Sequence, residues 1–230
     1  FIGVVDKRGS IDIFGKEMLS VGFNTIFAPC ADCNSNPQNV IIGMRSFGEN
    51  PERVAQQVES AVKGANASGI ITTLKHFPGH GDTTLDSHRN IPKVNKNLNQ
   101  LEHEDLYPFQ RGIDAGADMV MTSHILFPQI DPINLATLSP LIIRDLLREK
   151  MGFNGVVLTD SMNMGAIKKN YPSDEAAIKA IQAGVDMIML AEEHYDHDSS
   201  IYIEQHMKLI QSVIQAAKKG RITQERLDEA

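Results

Sequence analysis

The sequence predicts an α/β fold: a parallel sheet, buried on both faces, that curls into a TIM-like (β/α)8 barrel. Three observations predict it. Short runs that are nearly all apolar alternate with longer segments of helical spacing, the rhythm of βα units around a parallel sheet. No Gly-x-Gly-x-x-Gly follows any of those runs, which lowers the reading as an open dinucleotide-binding sheet. Ionisable residues gather where the runs end, at Asp6, Asp32, Lys75-His76, His124 and Asp160. A barrel brings all such ends into one mouth, whereas an open sheet strings them along an edge.

The elements follow in order. Residues 1–5 read as a buried strand ending at Asp6, and residues 10–21 have helical spacing with Ile13, Phe14, Met18 and Leu19 on one side. Residues 25–28 form a second strand, stopped by Pro29, and a polar loop rich in Asn, Pro and Gly spans 32–50. A helix over 52–67 leads to a third strand at 70–74 and, after a long loop, to a helix over 99–115. Residues 118–121 are the next strand. Ser139 and Pro140 suit the cap and first turn of a helix running to 150. Strands at 155–159 and 185–190 bracket a helix over 174–183, and helices over 201–219 and from 223 onward close the chain. Six of eight units are thus visible. A single barrel domain over 1–230 is expected, with its N-terminal elements missing, because the chain starts at Phe1 already inside a core strand.

Composition narrows the function. A net charge of −7 argues against nucleic acid and against docking on anionic membrane. No run of about 18 apolar residues is present, so no membrane-spanning helix is expected. Cys30 and Cys33 form a Cys-x-x-Cys without a second pair; a redox or zinc role is weaker than two incidental thiols. The ten Met read as core filling, and His103, His194, His197 and His206 as surface groups.

The chemistry concentrates after the third strand, in Lys75-His76-Phe77-Pro78-Gly79-His80-Gly81-Asp82-Thr83-Thr84-Leu85-Asp86-Ser87-His88, which holds three of the eight His. Ionisable groups leaving a buried strand are costly to desolvate unless they act as ligands, acids or bases. His88 lies two residues after Asp86, so in an extended segment the carboxylate reaches the imidazole and fixes its tautomer. A His so held can give and retrieve a proton near neutral pH. Asp160 follows Val156-Val157-Leu158-Thr159 and points into the mouth, where it can attack or stabilise a cation; the competing reading is a cap for the next helix.

These motifs resemble those of the β-N-acetylglucosaminidases of glycoside hydrolase family 3. The Lys75–Gly81 and Asp86-Ser87-His88 stretches carry the resemblance. So do Asn34-Ser35-Asn36-Pro37-Gln38-Asn39 with Arg45-Ser46-Phe47-Gly48, Leu158-Thr159-Asp160-Ser161-Met162 with Met164-Gly165, and Ala183-Gly184-Val185-Asp186-Met187. The resemblance implies a retaining glycosidase in which Asp160 is the nucleophile, His88 the acid/base and Asp86 the residue that orients it. Most retaining glycosidases use two carboxylates; here a His–Asp dyad replaces the second. It further implies that Arg45, Lys75 and His76 grip the sugar hydroxyls and N-acetyl group, and that Asp6 binds hydroxyls across the ring. After Asp6 the family pattern continues Glu-Gly-Gly-Arg, whereas this chain runs into Lys7-Arg8-Gly9-Ser10; either that loop is deleted or it is absent from this sequence, and one pocket wall is incomplete without it.

The implied substrate is a small carbohydrate, an N-acetylglucosamine glycoside from bacterial cell-wall (peptidoglycan) turnover or from chitin. No cofactor and no metal is expected, nor a nucleic-acid or membrane partner, and the protein is expected to be a monomer, cytoplasmic or secreted. Two rivals stand beside this reading. One is a sugar-binding relative with an incomplete site. The other is a metal-dependent barrel hydrolase using His76, His80, Asp82, Asp86 and His88, against which Pro78-Gly79 prevents the helix that would align His76 with His80.

Overall fold

The computed structural model describes residues 7–84, 91–191 and 199–230. The strand expected over 1–5 therefore lies outside the described residues. The first helix, α1 (Lys7–Ser20), is followed by an extended segment and then α2 (Pro51–Ser68). Asn50 caps α2 by accepting from Arg53 N at 3.0 Å, Pro51 occupies the first turn, and Gly69 ends the helix at φ 83°, a conformation open to Gly at no steric cost. The α2 face of Val54, Val58, Ala61, Val62 and Ala65 is fully buried and packs on α1 and α4 (Leu106–Asp114).

Three strands form a parallel sheet in the order β1 (Thr73–Phe77), β2 (Met119–Thr122), β3 (Val156–Thr159). Single parallel bridges continue it on both sides: Thr25 with Ile71 and Cys30 with Lys75 on one flank, Leu158 with Met187 on the other. The segments expected as strands at 25–28 and 185–190 are thus in place but bridge only at single points. The sheet is an open, incompletely curled part of a (β/α)8 arrangement.

Strand alternation sorts the two faces. Leu74, Val120 and Val157 enter the main core with Phe77, Phe109 and Phe127. Met119, Met121 and Leu158 turn to the other face and cluster with Ile71 and Met189. The Met residues expected as core filling include this inner layer. Asp160, two residues beyond Leu158, continues along the inner face.

Three boundaries differ from expectation. The strand expected to end at residue 74 runs on to Phe77, so Lys75 and His76 belong to the strand itself; the register slips between Lys75 and Phe77, at the cis Lys75–His76 peptide. The helix expected over 99–115 is two, α3 (Leu98–His103) and α4. Pro108 has no N–H to donate to Glu104 O, and Lys96 draws Glu104 and Asp105 toward itself at 2.8 and 2.6 Å. The segment after Pro140, Leu141–Lys150, is wound as a π-helix, closed by Met151 N donating to Leu146 O at 3.0 Å. The remaining helices are α5 (Gly165–Lys168), α6 (Ser173–Ala183), α7 (Ser199–Lys218) and α8 (Gln224–Glu229).

Candidate active site

The C-terminal end of β1 wraps around one buried carboxylate, Asp32, which is fully shielded from solvent. It sits on the segment flanking β1, and β1 feeds it donors. His76 N lies 3.1 Å from each oxygen, His80 N donates to Oδ1 at 2.7 Å, and His76 Nδ1 and Cys30 Sγ reach Oδ2 at 2.8 and 3.2 Å. Burial alone would raise its pKa. The attraction of His76 and the bonds from both histidines outweigh burial and hold the carboxyl at about 2.

His76 is oriented from both nitrogens. Arg45, on the turn Gly43–Arg45, places Nη2 3.2 Å from His76 Nε2. A guanidinium only donates, so Nε2 accepts and the Nδ1 proton goes to Asp32. Beside it, burial first and Arg45 second pull the Lys75 ammonium below the usual lysine range, with Asp160 and Asp32 among the groups opposing them. Asp160 is pushed up by burial, but His76, His124, Lys75 and a 2.7 Å bond from Ser161 N together hold it below the usual carboxylate range. It is therefore ionised at neutral pH.

Of the residues expected from sequence to form the site, Arg45, Lys75, His76 and Asp160 come together within electrostatic reach of one another. Asp6, Asp86 and His88 lie outside the described residues. The base of the loop that carries the last two is tightly held. Buried Asn39 donates to His80 O at 2.7 Å and to Thr83 Oγ1 at 3.2 Å, while its own Oδ1 accepts from Ile41 N and Ile42 N. A Cβ on Gly81 would lie 1.5 Å from the Cys33 carbonyl oxygen, so the loop crosses the 32–50 segment where only Gly fits. Lys96, buried with Asp105, reaches Asp82 at 3.9 Å and ties the same base to α4.

Sequence reasoning noted Asp32 at a strand end but gave it no task, because its partners lie 44 and 48 residues away. Asn39 was missed for the same reason, its partners lying 41 and 44 residues away, whereas Lys96 was missed although Asp105 is only nine residues on. His124, placed from sequence at a strand end, is buried and bonded at both nitrogens. His103 is exposed, and half-buried His206 packs against Tyr202 with the rings tilted by 52°; His194 and His197 lie outside the described residues.

Both thiols are free and buried, and burial pushes both well above the usual range, which makes them poor nucleophiles. Among the described residues, the group of metal-type donors close enough to share an ion is Cys30, Asp32 and His76, within 4.8 Å of one another. His80 and Asp82 are not part of it. An ion there would take the place of the two protons that Cys30 and His76 now donate to Asp32.

A parallel α/β sheet with an ionised carboxylate and cationic side chains at its C-terminal edge defines a barrel-type domain with its site at the strand ends. The chain belongs to glycosyl hydrolase family 3: the model of that family's N-terminal domain matches residues 6–230. It is 36% identical over 228 residues to Beta-hexosaminidase A of Pseudoalteromonas piscicida, covering 94% of this chain and 38% of that protein. It is 38% identical over 178 residues to Beta-hexosaminidase of Stenotrophomonas maltophilia (strain R551-3), covering 77% of this chain and 52% of that protein. The solved glycoside hydrolase family 3 β-N-acetylglucosaminidase from Paenibacillus sp. str. FPU-7 superimposes with a TM-score of 0.90 at 41% identity, over 97% of this chain and 41% of that one. The chain thus spans about half, or less, of the length of these relatives. Among the described residues, no helix is long and apolar enough to cross a membrane.

Proposed function

We propose that this chain carries the catalytic centre of a retaining exo-glycosidase that releases terminal β-linked N-acetylglucosamine, acting as a monomer on small glycosides. The observation that carries the reading is the state of Asp160: ionised, half-buried at the end of β3, with its Oδ1 pinned by Ser161 N, and facing Lys75 and His76. The relatives, β-hexosaminidases and a β-N-acetylglucosaminidase by name, supply the substrate class.

Arg45, Lys75 and His76, with Asp6, hold the sugar hydroxyls and N-acetyl group. The Asp32 anchor keeps His76 from swinging as substrate enters. Asp160 then forms a bond to the anomeric carbon while the glycosidic C–O bond breaks and His88, oriented by Asp86, gives its proton to the departing oxygen. In the second step a water oxygen bonds to the anomeric carbon, its proton returns to His88, and the Asp160 carboxylate leaves.

A panel of aryl β-glycosides, comparing N-acetylglucosamine with glucose and xylose, tests substrate and nucleophile together. The N-acetylglucosaminide should be the preferred member, and Asp160→Ala should abolish its turnover. Full activity in that variant would remove Asp160 from the mechanism, and preference for glucose or xylose would remove the substrate assignment.

A further inference from the structure

Resting on the reading of Asp160 as nucleophile, we infer that His124 is a positioning residue that aims the Asp160 carboxylate through the backbone of Ser161. His124 follows β2 and is 1% exposed. Its Nε2 lies 2.9 Å from the Ser161 carbonyl, which only accepts, so Nε2 carries a proton and donates it there. Its Nδ1 lies 2.8 Å from Thr137 Oγ1, and that hydroxyl is itself 2.8 Å from the Ser123 carbonyl and 2.9 Å from Thr122 Oγ1. The ring is therefore a strut between the end of β2 and the residue after the nucleophile on β3.

Ser161 is the joint. Its carbonyl takes the His124 proton, its N–H is the 2.7 Å donor to Asp160 Oδ1, and its hydroxyl bonds the backbone of Ala191 at 2.8 and 3.1 Å. The carbonyl and the N–H lie on successive peptide units joined at the Ser161 Cα, so the strut bears on the second unit, whose own N–H goes from Met162 to Met189 O at 2.9 Å, and the nucleophile is held by the first. With Oδ1 pinned, Oδ2 is the oxygen presented to the anomeric carbon. Burial lowers the imidazole pKa from the usual histidine value, and the nearby Asp160 charge opposes that shift. Removing the Nε2 donor leaves a buried carbonyl unpaired; residue 161 then turns about its Cα toward another donor, and that rotation shifts its N–H from Asp160.

Two amide variants separate this role from bulk packing. In His124→Gln the amide nitrogen can take the place of Nε2 and keep the bond to Ser161 O. In His124→Asn it can take the place of Nδ1 and reaches only Thr137. On an aryl N-acetylglucosaminide, His124→Asn should lose about 100-fold in kcat with KM within about threefold, the size of effect expected from a misplaced nucleophile. His124→Gln should recover most of that loss. The rate of covalent labelling of Asp160 by a fluorinated N-acetylglucosaminyl fluoride should fall with kcat in His124→Asn. Equal losses in the two variants, a loss confined to KM, or labelling of His124→Asn at the wild-type rate would overturn the inference while leaving Asp160 as nucleophile. Absence of labelling at Asp160 in the wild-type chain would overturn the nucleophile and this inference with it.

Discussion

Replacing Asp32 with Asn changes one buried oxygen to an amide nitrogen. The amide oxygen can sit where Oδ1 is and keep His80 N and His76 N. The amide nitrogen then faces two donors, His76 Nδ1 and Cys30 Sγ, which now lie 2.8 and 3.2 Å from Oδ2. Losing the charge-assisted bond and leaving a buried N–H facing another donor should together cost about 3 kcal/mol. For a chain of this size, that lowers Tm by about 6–12 °C. Moving the His76 proton to Nε2 offers no escape, because Nε2 faces the Arg45 guanidinium at 3.2 Å.

The pH dependence gives an independent figure. The folded carboxyl lies at about 2 against an ordinary 3.8, a difference equivalent to about 2 kcal/mol. Because the folded value is the lower one, this stabilisation is complete above pH 3.8 and disappears as pH falls toward 2. Thermal unfolding of wild type and Asp32→Asn, at pH 7 and in steps down to pH 2, reads both effects. The gap between the two proteins should be widest at neutral pH and narrow through the acid window. A gap under about 1 kcal/mol at pH 7, or one that does not narrow below pH 4, would refute Asp32 as the ionised anchor.

Three other perturbations have defined outcomes. In Lys96→Met, Asp105, which burial already lifts to about 6 despite Lys96, loses its partner; the folded state then holds a proton that the unfolded state releases, so melts should show a larger loss at pH 8 than at pH 5. Gly81→Ala forces a Cβ against the Cys33 carbonyl; it should lower both Tm and kcat, and wild-type kcat would show that the loop base need not be held there. Asp186 accepts from Arg148 and Arg226 at 2.6 Å each and from Val157 N at 2.8 Å, at the end of β3 opposite Asp160; Asp186→Ala should cost about 3–5 kcal/mol in urea unfolding and leave kcat/KM at 25 °C within about twofold.

The sheet was legible because each strand is an apolar run with its helix behind it, and runs such as Val156–Thr159 need no distant partner to be recognised. The end of β1 was harder to read. Lys75 and His76 look like residues leaving a strand, yet they stay in it: Arg45 and Asp32, from another segment, satisfy His76, and the Cys30 bridge holds Lys75. The pairing of His76 spans 31 and 44 residues, beyond the reach of periodicity. The split between α3 and α4 was readable in principle from Pro108, but the apolar spacing across it is continuous. Asp160 stood out because a carboxylate ending an apolar run is conspicuous in the sequence itself. The strut from His124 to Ser161 did not, because it bonds across two strands to a carbonyl, and a carbonyl carries no mark in the sequence.

The most direct measurement is the position of the covalent intermediate. Wild-type chain incubated with a 5-fluoro-N-acetylglucosaminyl fluoride, digested and mapped by mass spectrometry, should carry one sugar on the peptide spanning Leu158 to Met164, attached at Asp160. Turnover of aryl N-acetylglucosaminide without any such adduct, or an adduct on another carboxylate such as Asp32, would contradict the account.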